Sequence, residues 1–196
     1  KIMASSERMS VLINDILNFS KVSRNDVAYV PVNLEVIFEN VLQDLELEIE
    51  AKNVRIQKET LPQIEAIPIQ MNQLLFNLIS NSLKFARPDL PLQITIKVKD
   101  LVHSPLEELK NLNKSLDYVQ ITFADNGIGF EQQYSEKIFH IFQRLNNRSY
   151  AGTGIGLALC KRIVETHKGE IIAQSNPNEG ATFNIMLPKK HILFTP

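Results

Sequence analysis

Two short glycine clusters constrain this chain more than any other feature. They are Asp125-Asn126-Gly127-Ile128-Gly129-Phe130 and Gly152-Thr153-Gly154-Ile155-Gly156-Leu157-Ala158-Leu159. Glycines at alternate positions let the backbone take positive φ and approach a ligand closely, and the second cluster runs straight into an apolar helical pattern. This is the layout of a phosphate-binding surface. It is not a P-loop, which needs a Gly-Lys-Ser/Thr ending, and neither cluster follows the first strand of a dinucleotide-binding unit.

The segments flanking the clusters say how they are carried. Tyr118 to Ala124 alternates Val119, Ile121 and Phe123 against polar positions, which predicts a half-buried strand ending at Asp125. The carboxylate then stands at a strand terminus where the chain turns, a usual place for a side chain aimed at a ligand. Ile155 to about His167 predicts a helix, with Gly169 in the C-cap position. Between the clusters, Phe130 to Ala151 contains Phe139, Phe142 and Arg144 and has the length and composition of a mobile lid.

A third stretch belongs with these two. Pro68 to about Phe85 reads as a helix with proline in its first turn. Asn77, Asn81 and Lys84 are spaced by four and then three, so they share one face, while Leu75, Leu78, Ile79 and Leu83 point elsewhere. A merely solvated face would carry Glu and Lys before Asn, because they are better helix formers.

In the rest of the chain, apolar residues from Ile2 to about Val22 recur at helical spacing, as in a bundle or coiled-coil helix that pairs with a segment outside the chain or a second copy, or else folds back on the domain behind it. Asn25 to Pro31 is a break, taken as the boundary between a leading helical segment, residues 1–28, and a domain of residues 29–196. Asn33 caps an expected helix over Leu34 to about Lys52 with an apolar face of Val36, Ile37, Val41, Leu42, Leu45 and Ile49. Strands are expected at Val54 to Glu59, Ile64 to Ile67 and Leu92 to Leu101, and a closing hairpin at Glu170 to Ser175 and Thr182 to Leu187. His103 to Asp117 is a charged insertion expected to be a solvated hairpin extension, and the tail from Lys189 carries no signal.

The bulk numbers narrow the function classes. A formal charge of -1 removes the basic surface on which nucleic-acid binding rests. One cysteine, Cys160, leaves no disulfide framework and no cysteine-based zinc site, and fits a reducing, cytoplasmic setting. No apolar run approaches the ~18 residues that cross a bilayer, so no membrane contact is expected of this chain, although a longer parent has room for an anchor.

Together these residues resemble the ATP-binding catalytic domain of sensor histidine kinases, within the wider ATPase superfamily that includes type II topoisomerases, large heat-shock chaperones and mismatch-repair ATPases. Asn77 to Phe85 is similar to the family's N box, Asp125 to Phe130 to its G1 box, Phe139 and Phe142 to its F box, and Gly152 to Leu157 to its G2 box. Four boxes in order are specific where one glycine cluster is not. The leading helix resembles the second helix of the family's dimerisation and phosphotransfer hairpin.

The resemblance implies an α+β fold, a two-layer sandwich with a mixed sheet, preceded by one long helix. It implies ATP and Mg2+ as ligands. Asp125, with Gly127 and Gly129 in the turn after it, would meet the adenine amino group; Asn81 would hold the metal, and Asn77 would support the phosphates. Lys84 and Arg144 would contact phosphate, and the backbone of Gly152, Thr153, Gly154, Gly156 and Leu157 would complete the cradle. The two phenylalanines are expected to anchor the lid. Implied partners are an upstream phosphoacceptor helix, a response-regulator receiver domain and a second copy in the full-length protein. None of His103, His140, His167 or His191 stands in the acceptor's setting, so the fragment alone is not expected to label itself, and surface or packing roles are expected for His140 and His167. Ala151 stands where the family often has glycine. The alternative within this resemblance is a non-catalytic nucleotide-sensing module of the same fold.

Overall fold

The computed structural model describes Ile13, Leu17 and residues 28–101, 112–113, 115–145 and 152–190. A five-stranded mixed sheet carries the domain, with strand order β2-β4-β5-β7-β6. Its strands are β2 (Arg55–Lys58), β4 (Gln93–Leu101), β5 (Tyr118–Asp125), β6 (Glu170–Asn176) and β7 (Gly180–Pro188). β2 runs parallel to β4, and every other pairing is antiparallel. A separate two-stranded ribbon pairs β1 (Val30–Asn33) with β3 (Gln63–Ala66).

One face of the large sheet is covered by helices and the other is open. The strand alternation predicts this: Ile94 and Ile96, Val119, Ile121 and Phe123, and Phe183 and Ile185 are all buried. Their sequence neighbours form a polar outer surface, in which Gln120 Nε2 and Thr122 Oγ1 both donate to Asn184 Oδ1, at 3.0 and 2.8 Å. Asp125 falls on the same parity as Val119, Ile121 and Phe123. Period-two geometry therefore puts a carboxylate on the helix side of the sheet, where an apolar residue would ordinarily go.

The covering layer consists of α1 (Leu34–Asp44), α2 (Glu46–Ala51), α3 (Pro68–Lys84) and α4 (Gly156–Thr166). Asn33 caps α1 as expected, its Oδ1 accepting the Glu35 amide at 3.0 Å. The single helix expected from Leu34 to Lys52 breaks at Leu45, whose φ of -106° and ψ of 10° interrupt the ladder. Of the expected apolar face, Val41 and Leu45 are buried and Ile37, Leu42 and Ile49 pack partly buried against the core. Leu34, Phe38, Val41 and Leu45 carry the burial, whereas Val36 is 54% exposed.

α3 is the central helix, with Met71, Leu74, Leu75, Leu78, Ile79 and Leu83 all buried. At ~1.5–3 kcal/mol for each fully buried large aliphatic side chain, this stripe is among the largest contributors to the core. The Lys52 ammonium donates to the Leu83 carbonyl, placing a cation at the helix C-terminus where the macrodipole favours it.

Further expectations need correction. Val30 and Pro31, expected at the end of a break, belong to β1, and the residue after α4 in the left-handed region is Lys168, with φ of 59°. Gly169 is required for a different reason: a Cβ there would lie 2.1 Å from the Met186 carbonyl oxygen. Lys189 is tied down, its amide donating to the Asp117 carbonyl at 2.8 Å and its carbonyl accepting from Glu65 at 3.0 Å. In the insertion, Leu112 is buried with Leu101, Tyr118 and Met186, so this end of it packs on the sheet instead of standing in solvent.

Ile13 and Leu17 are helical and exposed, and the rest of the expected leading helix lies outside the described residues. So do residues 102–111 of the insertion and residues 146–151 of the expected lid. Among the described residues no helix is long and apolar enough to cross a membrane.

Candidate functional site

The polar face of α3 looks towards the start of α4. α4 begins where the second glycine cluster ends, and a Cβ on Gly156 would stand 3.4 Å from Asn77 Oδ1 and 4.0 Å from Asn81 Nδ2. The two helices approach closely there, with Cys160 Sγ 3.9 Å from the Leu74 carbonyl oxygen. Asn77, Asn81 and Lys84 are all half-buried. Asn77 Nδ2 is a buried amide nitrogen with no hydrogen-bond partner among the described residues. A buried donor left this way costs on the order of 1–3 kcal/mol, so a site that needs it is the economical explanation.

The glycine cluster wraps the end of this face. Gly152 has φ of 144° and Gly154 φ of 78°, and a Cβ on Gly152 would come within 2.5 Å of Lys84 Nζ. The Gly154 carbonyl accepts from the Phe142 amide at 3.0 Å, and a Cβ on Gly154 would meet Arg144 Cγ at 3.1 Å. Lys84 and Arg144, far apart in sequence, are thereby held beside one loop. Burial, and after it the Arg144 guanidinium, hold the Lys84 ammonium below its ordinary pKa. Two cations gathered at a glycine loop suit a polyanion.

Thr153 and Leu157 complete the cluster differently. Thr153 Oγ1 accepts the Ile155 amide at 3.4 Å, a local bond that shapes the entry to α4. Leu157 packs its side chain against the core, so only its backbone is on offer to a ligand. α4 has no side-chain N-cap, which leaves the amides of its first turn without that partner.

Asp125 occupies the floor between β5 and α3. Its Oδ1 accepts the Gly127 amide at 2.8 Å and the Ala181 amide at 3.4 Å, and its Oδ2 accepts the Ser82 hydroxyl at 3.0 Å. Burial dominates and pushes the carboxyl pKa up, while those three hydrogen bonds pull it partly back. Gly127 is needed because a Cβ would lie 2.6 Å from the Phe85 carbonyl oxygen. Gly129 serves the fold on the far side of the turn: it has φ of 61°, and a Cβ would meet the Asn176 carbonyl oxygen at 2.1 Å.

The segment between the clusters is anchored at its start. Gln132 accepts the Ser175 amide at 2.9 Å and donates to the Ala173 carbonyl at 3.3 Å, fixing a short 3-10 turn to β6. Phe139 is buried in a T-shaped contact with Phe183, with ring centroids 6.4 Å apart. Phe142 instead has φ of 65° and is 57% exposed, so only one of the two phenylalanines acts as an anchor.

Of the histidines, His167 has the packing role expected for it. It is fully buried, with Nε2 accepting the Ile67 amide at 3.0 Å and Nδ1 donating to the Ile163 carbonyl at 2.8 Å. His140 is exposed. A polar groove lined by Gln132, Gln174, Asn176 and Thr182 contains none of the expected site residues. Among the described residues no cluster of three or more His, Cys, Asp or Glu is placed to hold a metal.

Two residues at the site escaped the sequence reading. Ser82 donates to Asp125, and its signal was a polar residue on the buried parity of α3. Gly180 has φ of 88°, with a Cβ position 1.9 Å from the Asp125 carbonyl oxygen, and its position in a hairpin hid that contact.

A mixed sheet under a helical layer, with a glycine cradle at one helix start and a half-buried carboxylate at a strand end, defines a nucleotide-binding α/β sandwich. Residues 66–191 match the family described as histidine kinase-, DNA gyrase B- and HSP90-like ATPase, and the chain belongs to that family. It is 37% identical over 181 residues to the phytochrome-like protein Cph1 of Synechocystis sp., a match covering 92% of this chain and 22% of that protein. The chain therefore spans about a fifth of the length of that relative. Among solved structures it is similar to full-length ShkA in complex with AMPPNP, with a TM-score of 0.72 and 22% identity over 94% of this chain and 36% of that one. It is also similar to histidine kinase ThkA in complex with response regulator protein TrrA, with a TM-score of 0.69 and 21% identity over 96% of this chain and 49% of that one. At these identities the two structures speak to the fold.

Proposed function

We propose that this chain is the ATP-binding catalytic part of a sensor histidine kinase, which transfers the γ-phosphoryl group of ATP to a histidine outside it for relay to a response regulator. The observation that carries this is the convergence of Lys84 and Arg144 on the Gly152–Gly154 loop beside the Asn77–Asn81 face, with Asp125 half-buried under the same helix. Asp125 reads the adenine amino group as a hydrogen-bond acceptor, and a guanine carbonyl in that place would be repelled. Asn77, Lys84 and Arg144 take the phosphates with the amides of Gly152 to Leu157. Asn81 would hold Mg2+ through its amide oxygen, a hard donor that suits this cation. When bound, the ion neutralises phosphate charge.

The face of α3 has no Glu or Asp between Met71 and Phe85 to activate water, which favours transfer to a protein acceptor over hydrolysis. Residues 1–28 are then the second helix of a dimerisation hairpin, paired with an upstream acceptor helix and with a second copy in the whole protein. Residues 130–151 are the lid of this site, anchored at its start by Gln132 and Phe139.

The test is incubation with γ-labelled ATP, alone and with a separate polypeptide carrying the first hairpin helix. Label on that helix, and none on this chain alone, is the expected result. Failure to label a helix shown to associate would overturn the transfer.

Asp125→Asn tests base reading. The asparagine Oδ1 can keep the Gly127 and Ala181 amides and its Nδ2 can donate to Ser82, so the fold should survive. ATP affinity should fall by about 1–3 kcal/mol, the range for a hydrogen bond to a charged group. The fold itself should hold or gain. A carboxyl whose pKa is raised on folding stabilises the fold in its neutral form, a contribution lost as pH rises through the folded value, and above that value the charge is a cost that asparagine does not carry. Calorimetry and thermal melts measure both, and unchanged ATP affinity would refute the contact.

A further inference from the structure

We propose that Ser82 is a positioning residue for base selection: its hydroxyl donates to Asp125 Oδ2 and leaves that carboxylate one open acceptor position with which to read a base. This rests on the nucleotide reading above and names a residue on which the selectivity of that site depends.

The geometry is a count of lone pairs. An ionised carboxylate has about four acceptor positions, two on each oxygen. Oδ1 receives the amides of Gly127 and Ala181, at 2.8 and 3.4 Å. Oδ2 receives the Ser82 hydroxyl at 3.0 Å. A single position on Oδ2 remains, which a purine with an exocyclic amine can fill and one with a carbonyl at that place cannot. Among the described residues no ion pair reaches Asp125, so hydrogen bonds and burial alone set its orientation and charge.

Ser82 is suited to this because it sits on the buried side of α3, 2% exposed, among aliphatic neighbours that contribute no competing donor. Its hydroxyl has one proton and two acceptors within reach, Asp125 Oδ2 and the Leu78 carbonyl oxygen at 3.2 Å. With Asp125 ionised, the shorter and charge-assisted bond takes the proton. With Asp125 neutral, the carboxyl proton donates to Ser82 Oγ and the Ser82 proton turns to Leu78. The serine follows the protonation of the aspartate without moving, and the acceptor offered to the base weakens as the charge is lost.

The experiment compares wild type and Ser82→Ala for ATP and for inosine triphosphate, which differs from ATP at the purine by a carbonyl in place of the amine. Affinities are measured by calorimetry from pH 5 to 8. Alanine suits a helix interior, and the inosine arm reports whether the rest of the site is intact. Wild type should prefer ATP. In the variant, ATP affinity should fall by about tenfold, the lower part of the range for a lost hydrogen bond to a charged group, with inosine triphosphate unchanged. The acid loss of ATP binding should begin at higher pH, because a donor that favours the ionised form has gone.

If wild type binds neither nucleotide, the nucleotide reading fails and this inference falls with it. If wild type prefers ATP and the variant keeps both the preference and the pH profile, the inference alone is overturned. An equal loss for both nucleotides would make Ser82 a packing residue and would also overturn it.

Discussion

Replacing Lys84 by methionine is expected to lower phosphoryl transfer by about 100-fold, the scale on which losing one charge-stabilising donor acts at a reacting centre, while leaving the protein alone at least as heat-stable as wild type. Methionine preserves the helix and the aliphatic stem and removes only the ammonium. The stability half follows from the sign of the pKa shift. Burial and then Arg144 lower the Lys84 pKa, so folding favours its neutral form. Below that folded value the charge is a cost, relieved only as pH rises through it, and at neutral pH the methionine variant is free of it. The measurement pairs labelled-ATP transfer to the acceptor helix with thermal melts, with and without nucleotide. The variant should lose most of the nucleotide-induced rise in Tm, since that rise reports binding. A transfer rate within a few-fold of wild type, or a clear fall in the Tm of the protein alone, would overturn the assignment.

Asp125 and Lys84 are shifted in the same sense: for both, folding opposes the charged form. Core packing elsewhere makes this affordable, above all the continuous aliphatic stripe of α3. A ligand that presents a hydrogen-bond donor to the first and negative charge to the second would offset both, and an adenine nucleotide does. Perturbed titrations with opposite ligand demands, under one helix, are the electrostatic form of a binding site.

Much of this was legible in the sequence because it depends on local periodicity. β5 and β7 alternate, α3 carries its apolar residues at helical spacing, and Asp125 and Gly156 stand at the ends of elements whose limits the pattern marks. The misses have identifiable physical causes. Val30 and Pro31 look like the end of a break because a polar stretch leads into a proline, yet they belong to a strand through its pairing with β3. On α1 the expected face missed Phe38 and included the exposed Val36 because two overlapping helical stripes fit the same residues, and only tertiary packing decides between them. Lys168 takes the left-handed position next to a glycine because Gly169 is reserved for close approach to β7. The nearness of Lys84 to Arg144 is tertiary, and no spacing encodes it. Ser82 was recoverable in principle, as a hydroxyl on the buried parity of a helix, but its partner lies on a strand 43 residues later.

Gly129→Ala should be the most destabilising single substitution in the glycine clusters, by about 3–5 kcal/mol, a range that points to a specific structural conflict. A left-handed backbone costs a non-glycine residue about 1–2 kcal/mol by itself, and Gly129 has φ of 61°. The larger part is steric. The added methyl would lie 2.1 Å from the Asn176 carbonyl oxygen, 2.8 Å from that of Gly180 and 2.9 Å from Ser175 Oγ. None of the three can yield cheaply. Ser175 Oγ donates to the Gly180 carbonyl at 2.6 Å and accepts the Phe130 amide at 2.9 Å, so moving it breaks both bonds. Displacing Gly180 moves the first residue of β7 and, next to it, the Ala181 amide that Asp125 holds. Gly156→Ala is the control that separates a fold glycine from a site glycine. Its Cβ would find nothing closer than Asn77 Oδ1 at 3.4 Å, and it begins a helix, where alanine is favoured. Urea unfolding should therefore show a large loss for Gly129→Ala and little or none for Gly156→Ala, while ATP titration of the folded Gly156→Ala protein should show the weaker binding, because the methyl enters the space between the asparagine face and the glycine loop. Equal stability of the two variants would mean that the first cluster turns without needing the hairpin against which it packs. Full ATP affinity in Gly156→Ala would mean that the phosphates do not lie between α3 and α4.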